Sequence, residues 1–272
     1  MAQRTLKHFK GIIKDARRRG LIASNPAAET KIGGAERHKA RLTAGVDFPM
    51  PDELKAILNV ATGEPRALFC LAGLAGLRAS ELRGLRWTDI DLGQHPTVTI
   101  SQRADRWCRI GSPKSTAARR TVPLGETAAQ ALRAWKVGQP PITYREDGDR
   151  RQRPATLVFG TGTDRSDSLS NLRRLVLAPT MIRAGLAMPV LNAAGEPAKD
   201  KKGNLVMRSR YGLHAFRHYA ISSWLTAGID LKLCQRWAGH ATLALTLDTY
   251  GHLIPRRDDH ELIAAAERGL FG

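Results

Sequence analysis

Cysteine is scarce in this sequence. Three of the 272 residues are cysteine, they stand far apart at Cys70, Cys108 and Cys234, and no CxxC pair occurs. This pattern argues against a framework of disulfides and against a metal site built on paired cysteines. We expect all three to be reduced thiols of a cytosolic protein that fill space in the core.

Long apolar segments are also absent. No run approaches the roughly 18 residues of a transmembrane helix, and the polar start MAQRTLKHFK does not resemble a signal peptide. No internal repeat or long low-complexity segment occurs. A chain of 272 residues can nevertheless bury a sizeable core.

Acidic residues are few compared with basic ones. The chain has 43 Lys and Arg residues against 25 Asp and Glu residues, a formal net charge of +18. This excess is far more than solubility requires, and it indicates a polyanionic partner. An acidic membrane surface and a nucleic acid both satisfy that condition.

The hydrophobic pattern divides the chain into a short N-terminal piece and a long remainder. Residues 4–23 carry apolar side chains at helical spacing, and the SNP stretch after them ends the helix. The polar stretch 29–45 predicts a linker. Since one amphipathic helix cannot form a core alone, we divide the chain into residues 1–44 and a domain over 45–272.

The long domain is predicted to be mainly α with one small antiparallel β-sheet, an α+β fold. Helices are predicted from Pro51, over 65–87 with a break at Gly76, over 125–137, and through most of 213–270. The β-branched runs within 97–124 predict the sheet. Two polar inserts, 138–156 and 187–211, are expected to be surface loops.

The stretch GLHAFRHYA, residues 212–220, places two histidines four apart on one face of a predicted helix. Helical zinc ligands have this spacing, but their motif also needs a Glu after the first His, where this chain has Ala215. Arg217 shares the face of His214, and its permanent charge would repel a metal ion. Arg beside His suits an anion, so phosphate is the preferred ligand. His218 is expected to be structural.

Four other side chains stand where they could reach an anion or act as a nucleophile. Arg78 lies at a predicted helix start, where a guanidinium and free backbone amides can converge on an oxyanion. Lys114 lies at a turn between two strands, and His240 follows a glycine at another helix start. Tyr250 precedes a glycine, so we expect its phenol to project from a helix end. Taken singly, each has an ordinary alternative as a solvated charge, a helix cap or a packed ring.

The order and local context of these residues resemble one family. GLRASELRGLRWTDIDL, SPKSTAARRTVPL, GLHAFRH and WAGHATLALTLDTYGHLIP resemble the catalytic domain of the tyrosine recombinases, of the phage-integrase type, over about Asp47 to Pro255. The resemblance implies that fold, two phosphate-binding arginines, a tyrosine nucleophile, three further catalytic residues and a supporting acid. In that order they are Arg78 and Arg217; Tyr250; Lys114, His214 and His240; and Glu81.

The implied activity is site-specific recombination of DNA. Strands would be cut and rejoined through a 3′-phosphotyrosyl intermediate, with no metal, cofactor or ATP. Two arginines can neutralise the charge that builds on the nonbridging oxygens. His214 is the candidate base for the phenol, Lys114 the candidate acid for the leaving oxygen, and His240 a phosphate hydrogen-bond donor.

The resemblance also implies partners and a location. Double-stranded attachment sites, a tetramer of full-length chains on DNA, and an accessory DNA-bending protein are expected, with the protein in the cytoplasm beside the nucleoid. Residues 1–44 match only the last helix and linker of a core-binding domain, which predicts a catalytic fragment, monomeric when free. Arg150, Arg151, Lys201 and Lys202 could add phosphate contacts, and an apolar face within 258–270 could dock on a neighbouring protomer.

Two other classes of function remain. A type IB topoisomerase-like enzyme would share a tyrosine mechanism but relax supercoils without joining two sites. A DNA-binding module without catalysis would keep the basic surface but lose members of the catalytic set.

Overall fold

The computed structural model describes residues 2–30, 41–113, 115–146, 149–160 and 165–254, together with 258, 260, 261, 263, 264, 267 and 268. It separates into two compact units, Met1–Ala40 and Arg41–Gly272. Within the described ranges, no helix combines the length and apolar character needed to cross a membrane.

The first unit is built around helix α1, Ala2–Arg18. The helix ends five residues earlier than the predicted limit of 23, and Gly20 follows in the left-handed region. Lys10 ties the helix to the following turn, since its Nζ donates to the carbonyl of Ala28 at 2.8 Å. Ile12 on the apolar stripe is 67% exposed.

The second unit contains nine described helices and nine described strands. The helices are α2 (Pro51–Val60), α3 (Gly63–Gly73), α4 (Ala79–Leu82), α5 (Glu126–Gly138), α6 (Leu169–Asn171), α7 (Ala178–Arg183), α8 (Leu213–Thr226), α9 (Leu231–Ala238) and α10 (Leu243–Tyr250). A π-helical turn, Leu172–Leu177, joins α6 to α7. The strands are β1 (Ile90–Asp91), β2 (Thr97–Ile100), β3 (Arg103–Ala104), β4 (Ile110–Gly111), β5 (Arg120–Pro123), β6 (Ile142–Glu146), β7 (Asp149–Arg153), β8 (Ala187–Pro189) and β9 (Met207–Ser209).

The core forms around α3, which is buried on all sides. Its segment from Ala67 to Gly73 is wholly buried and packs against α5 and α8. Phe69 on α3 and Phe216 on α8 meet as tilted rings with centroids 5.0 Å apart. A helix that is apolar all round in this way must lie inside the domain, so it gives the helices around it a common support.

The predicted antiparallel sheet is confirmed. β1, β2 and β5 form a three-stranded sheet, with Val98 opposite Val122. Both valines are buried while their neighbours along the strands are more exposed, the alternation expected of a half-buried sheet. This sheet sets β5 beside the C-terminal end of α9, where Arg120 becomes important.

The two inserts predicted as loops contain strands, and this correction increases the number of sheets. β6 pairs with β7, β8 pairs with β9, and β3 pairs with β4, each as a two-stranded antiparallel sheet. The sequence DRRQR of β7 has no alternation of apolar and polar residues, so its strand conformation depends on the backbone pairing and not on its own pattern. Arg151 pairs with Glu146 across this hairpin at 2.6 Å. The α+β class itself is confirmed.

All three cysteines are free thiols. Cys70 and Cys234 are buried, as expected, but Cys108 is only partly buried and has a positive φ of 63°. In the predicted apolar face near the C-terminus, Leu262, Ala266 and Leu270 lie outside the described residues, and Ile263 is 62% exposed.

Candidate active site

The first predicted arginine, Arg78, is the N-terminal cap residue of α4. The chain reaches it through Gly76, whose φ of 67° is left-handed and whose missing Cβ would lie 2.9 Å from the ring of Trp224. The backbone amide and guanidinium of Arg78 both donate to the carboxylate of Glu81, each at 2.8 Å. The sequence predicted that the Arg78 backbone amide was free for an oxyanion, and this was wrong because Glu81 accepts from it.

Glu81 is the buried acid of the site, and two arginines hold it. Arg120 on β5 donates to both carboxylate oxygens at 2.9 Å. Burial alone would raise the pKa of Glu81, but the hydrogen bonds and charge of Arg120, with the charges of Arg78 and Arg217, lower it to about 2. The carboxylate therefore stays ionised at neutral pH and fixes the orientation of Arg78.

Arg120 is the residue that sequence analysis missed in this network. Its side chain is 2% exposed, and its Nε donates to the carbonyl of Trp237 at 2.5 Å. It therefore connects β5 both to Glu81 and to the end of α9. The signal was present in the ARRTVPL stretch, but nothing local distinguishes Arg120 from its neighbour Arg119.

Arg217 lies within α8 and is 1% exposed. Its guanidinium donates to the carbonyl of Gly76 at 2.6 Å and to the carbonyl of Ala238. Burial, followed by the positive charge of Arg78, lowers the pKa of Arg217 to about 9. A buried cation next to another cation is unfavourable unless an anion joins them, so these two arginines favour a bound anion.

The turn between α9 and α10 presents the predicted His240. Gly239 allows the turn through its left-handed φ of 61°, and a Cβ there would approach Arg120 to 3.0 Å. The carbonyl of Gly239 accepts from Arg78 at 3.1 Å. His240 is 9% exposed, and its Nδ1 lies 2.9 Å from the hydroxyl of Thr246. Burial, then the charges of Arg217, Arg78 and Arg120, lower its pKa to about 3.

Tyr250 is the last residue of α10 and is 2% exposed. The expectation that its phenol projects from a helix end was therefore wrong, because α10 folds back onto α8 and α9 and encloses the ring. The ring is nearly parallel to that of His240, with centroids 6.3 Å apart. Burial raises the pKa of Tyr250 to about 12, against the opposing charges of Arg217 and Arg78.

The phenol of Tyr250 is hydrogen bonded to His218, whose Nδ1 is 2.7 Å from its oxygen. Sequence analysis assigned His218 a structural role, and its position next to Arg217 was the available signal. His214 lies exposed in the first turn of α8, with its ring edge to face against His218 at 4.5 Å. Burial of part of its ring, then the charges of Arg217 and Arg78, lower the pKa of His214.

Lys114 lies outside the described residues. Its neighbours Pro113 and Ser115 line a cavity of about 270 Å³ together with Arg78, Glu81 and Gly239. The chain on either side of Lys114 therefore borders the arginine site. Among the residues that the structure describes, no group of three His, Cys, Asp or Glu side chains could hold a metal ion.

The described members of the predicted set thus meet around one short turn, Ala238–His240. Arg217 and Arg78 donate to its carbonyls, His240 belongs to it, and Tyr250 stacks against His240. Chemically, such an arrangement can hold a monoanion between two guanidinium groups with a phenol and imidazoles at its edge.

Comparison with known proteins gives related results for sequence and structure. Residues 49–257 match the model of the phage integrase family. The chain is 31% identical over 251 residues to tyrosine recombinase XerC of Mycobacterium sp. (strain KMS), covering 88% of this chain and 67% of that relative. It is 25% identical over 242 residues to a tyrosine recombinase XerC-like protein of Caldanaerobacter subterraneus subsp. tengcongensis, covering 88% of this chain and 58% of that relative.

Two solved structures share the fold. The integrase of transposon Tn1549, in complex with a circular intermediate DNA, superposes with a TM-score of 0.61 at 20% identity, covering 98% of this chain and 78% of that one. A lambda integrase dimer bound to a core site superposes with a TM-score of 0.52 at 15% identity, covering 88% and 71%.

Proposed function

This chain belongs to the phage integrase family, and we propose that it is a site-specific DNA recombinase that cuts and rejoins strands through a 3′-phosphotyrosyl intermediate. The observation that carries the proposal is the meeting of Arg78, Arg217, His240 and Tyr250 around one turn. The family match and the XerC relatives support recombination as the activity.

The scissile phosphate would bind between Arg78 and Arg217. As the phosphorus becomes pentacoordinate, negative charge grows on its nonbridging oxygens, and two guanidinium groups stabilise it by charge-assisted hydrogen bonds. A bound anion would also relieve the repulsion that lowers the pKa of Arg217. His240 would donate a further hydrogen bond to the same phosphate.

Tyr250 would be the nucleophile. With a pKa raised to about 12, only about one phenol in 10⁵ is ionised at pH 7, so attack requires both a base and the arginine charges. His214 is the proposed base, since it stands at the site with a lowered pKa and is neutral at pH 7. The phenol oxygen forms a bond to phosphorus while the bond from phosphorus to the 5′-oxygen breaks.

The leaving 5′-oxygen needs a proton, and Lys114 is the proposed donor. The new phosphodiester on tyrosine conserves the energy of the broken bond, so a 5′-hydroxyl of another strand can attack it and release Tyr250. Atoms and charge balance over the two steps without hydrolysis of ATP. The proposed reaction is therefore strand exchange and needs no cofactor.

The proposed partner is double-stranded DNA carrying attachment sites, in the cytoplasm beside the nucleoid. The chain spans about two thirds of the length of the XerC relative that it matches over 251 residues. We interpret residues 1–44 as the last helix and linker of a core-binding domain and residues 45–272 as the catalytic domain. Assembly into a tetramer on paired sites and help from a DNA-bending protein are further parts of the proposal.

The test uses a pool of nicked duplexes with randomised sequence around the nick. The native chain should become linked to a 3′-phosphate, and the adduct should survive SDS. Tyr250→Phe should form no adduct, because it keeps the ring but lacks the oxygen. An adduct formed by the Phe variant would exclude Tyr250 as the nucleophile.

A second arm separates recombination from topoisomerase activity. Duplexes recovered from the pool are placed in pairs on a supercoiled plasmid, and a plasmid without them is the control. Recombinant products that require both sites support the proposal. Equal relaxation of both plasmids without exchange would favour the type IB topoisomerase-like alternative, and binding without an adduct would favour a non-catalytic module.

A further inference from the structure

His218 has no part in the mechanism above, yet it makes the hydrogen bond to the nucleophile. It lies on α8, one residue after Arg217, while Tyr250 ends α10, and the two meet with Nδ1 2.7 Å from the phenol oxygen. Their ring centroids are 5.6 Å apart. The bond therefore ties the nucleophile to the helix that carries the second arginine.

We propose that His218 is a positioning residue that fixes the phenol oxygen of Tyr250 near Arg78 and Arg217 by accepting its hydrogen bond at Nδ1. The inference rests on the proposed function, because it concerns the same nucleophile. Without this acceptor the ring of Tyr250 remains buried, but the direction of its hydroxyl is no longer held. Misplacement of a reacting atom by about 1 Å can slow a reaction about 100-fold.

The direction of the hydrogen bond follows from the protonation states. Burial, then the charges of His214 and Arg217, lower the pKa of His218 to about 4, against the opposite influence of Asp47. The imidazole is therefore neutral near pH 7 and has one acceptor nitrogen. Burial keeps the phenol of Tyr250 protonated. The phenol donates, Nδ1 accepts, and the imidazole proton is assigned to Nε2.

The same values assign His218 to positioning and not to proton removal in the chain without DNA. The pKa of the phenol is about 12 and that of the imidazole about 4, so complete transfer of the proton is disfavoured by a factor of about 10⁸. His218 thus holds a neutral phenol in place, and removal of the proton is left to the base of the proposed mechanism.

Two substitutions separate positioning from simple filling of space. His218→Phe retains a ring of similar size but has no acceptor. His218→Asn is smaller but places an amide oxygen where Nδ1 lies. A residue that only fills space should be replaced better by Phe, whereas a hydrogen-bond acceptor should be replaced better by Asn.

The test measures the rate of adduct formation in a single turnover, with saturating nicked duplex recovered from the randomised pool. His218→Phe should be about 10- to 100-fold slower, with DNA affinity within about twofold of native, and His218→Asn should recover most of the loss. His95→Asn, at an exposed position in the turn before β2, is the matched control and should react at the native rate.

A second readout needs no DNA. Nitrogen NMR of the histidine side chains should show His218 with an unprotonated Nδ1, and Tyr250→Phe should shift that signal more than it shifts the others. A protonated Nδ1 in the native chain would overturn the assignment.

The two proposals fail in different ways. If the native chain forms the adduct and His218→Phe reacts as fast, or reacts faster than His218→Asn, the positioning role is refuted and the recombinase proposal stands. If the native chain forms no adduct on any duplex in the pool, the recombinase proposal is refuted and the positioning role falls with it.

Discussion

Replacing Glu81 with Gln should destabilise the Arg41–Gly272 unit by about 3 kcal/mol at pH 7. The substitution keeps the size of the side chain but removes the charge that Arg120 and Arg78 share. Arg120 would then remain buried, with its side chain 2% exposed, and without an ionised partner. Removing one member of a buried pair typically costs about 3 to 5 kcal/mol.

The pKa of Glu81 gives a second route to the magnitude. Its lowering from 4.5 to about 2 corresponds to about 3.4 kcal/mol of stability at pH 7, at about 1.36 kcal/mol per tenfold change. A lowered carboxyl pKa stabilises the fold above the unfolded value of 4.5, and this stability is lost as the pH falls towards 2. At pH 3 about 1.4 kcal/mol should remain.

The assay is urea unfolding followed by tryptophan fluorescence at pH 7 and pH 3. All five tryptophans lie between residues 87 and 237, so the signal reports on the second unit. The control is Glu126→Gln, whose pair with Arg133 is exposed and should contribute at most about 1 kcal/mol. A loss below about 1 kcal/mol for Glu81→Gln, or a loss equally large at pH 3 and pH 7, would refute this account of the buried network.

Two further predictions concern the reaction. Lys114→Ala should be crippled on ordinary nicked DNA but regain much of its cleavage rate when sulfur replaces the bridging 5′-oxygen, because a thiol, with a pKa near ~8.5, leaves without a proton. The same sulfur should not rescue Arg217→Ala, whose defect concerns the nonbridging oxygens, and equal rescue of both would remove the acid role from Lys114. For DNA binding, log K should fall with log salt by roughly 0.9 for each phosphate contacted, as measured by fluorescence anisotropy between 50 and about 200 mM salt. A flat dependence would argue against a DNA-facing basic surface.

Much of the fold could be predicted because its signals are local. The apolar run of α3, the break at Gly76 and the paired strands β2 and β5 depend on periodicity, backbone freedom and β-branched residues within short windows. The two hairpins in the inserts escaped prediction. Their strands are short or polar, and pairing with a partner segment stabilises them more than their own pattern does.

By itself, the sequence determined the candidates for the site, since Arg78, Arg217, His240 and Tyr250 each stand in a recognisable local context whose order resembles one family. Only the tertiary structure decided how they are held. Tyr250 is buried and bonded to His218 across 32 residues, and Arg120 reaches Glu81 across 39 residues. Such contacts depend on how α10, α8 and β5 pack together. Helical spacing and composition describe each segment alone, so they carry no information about which buried partner a side chain will meet.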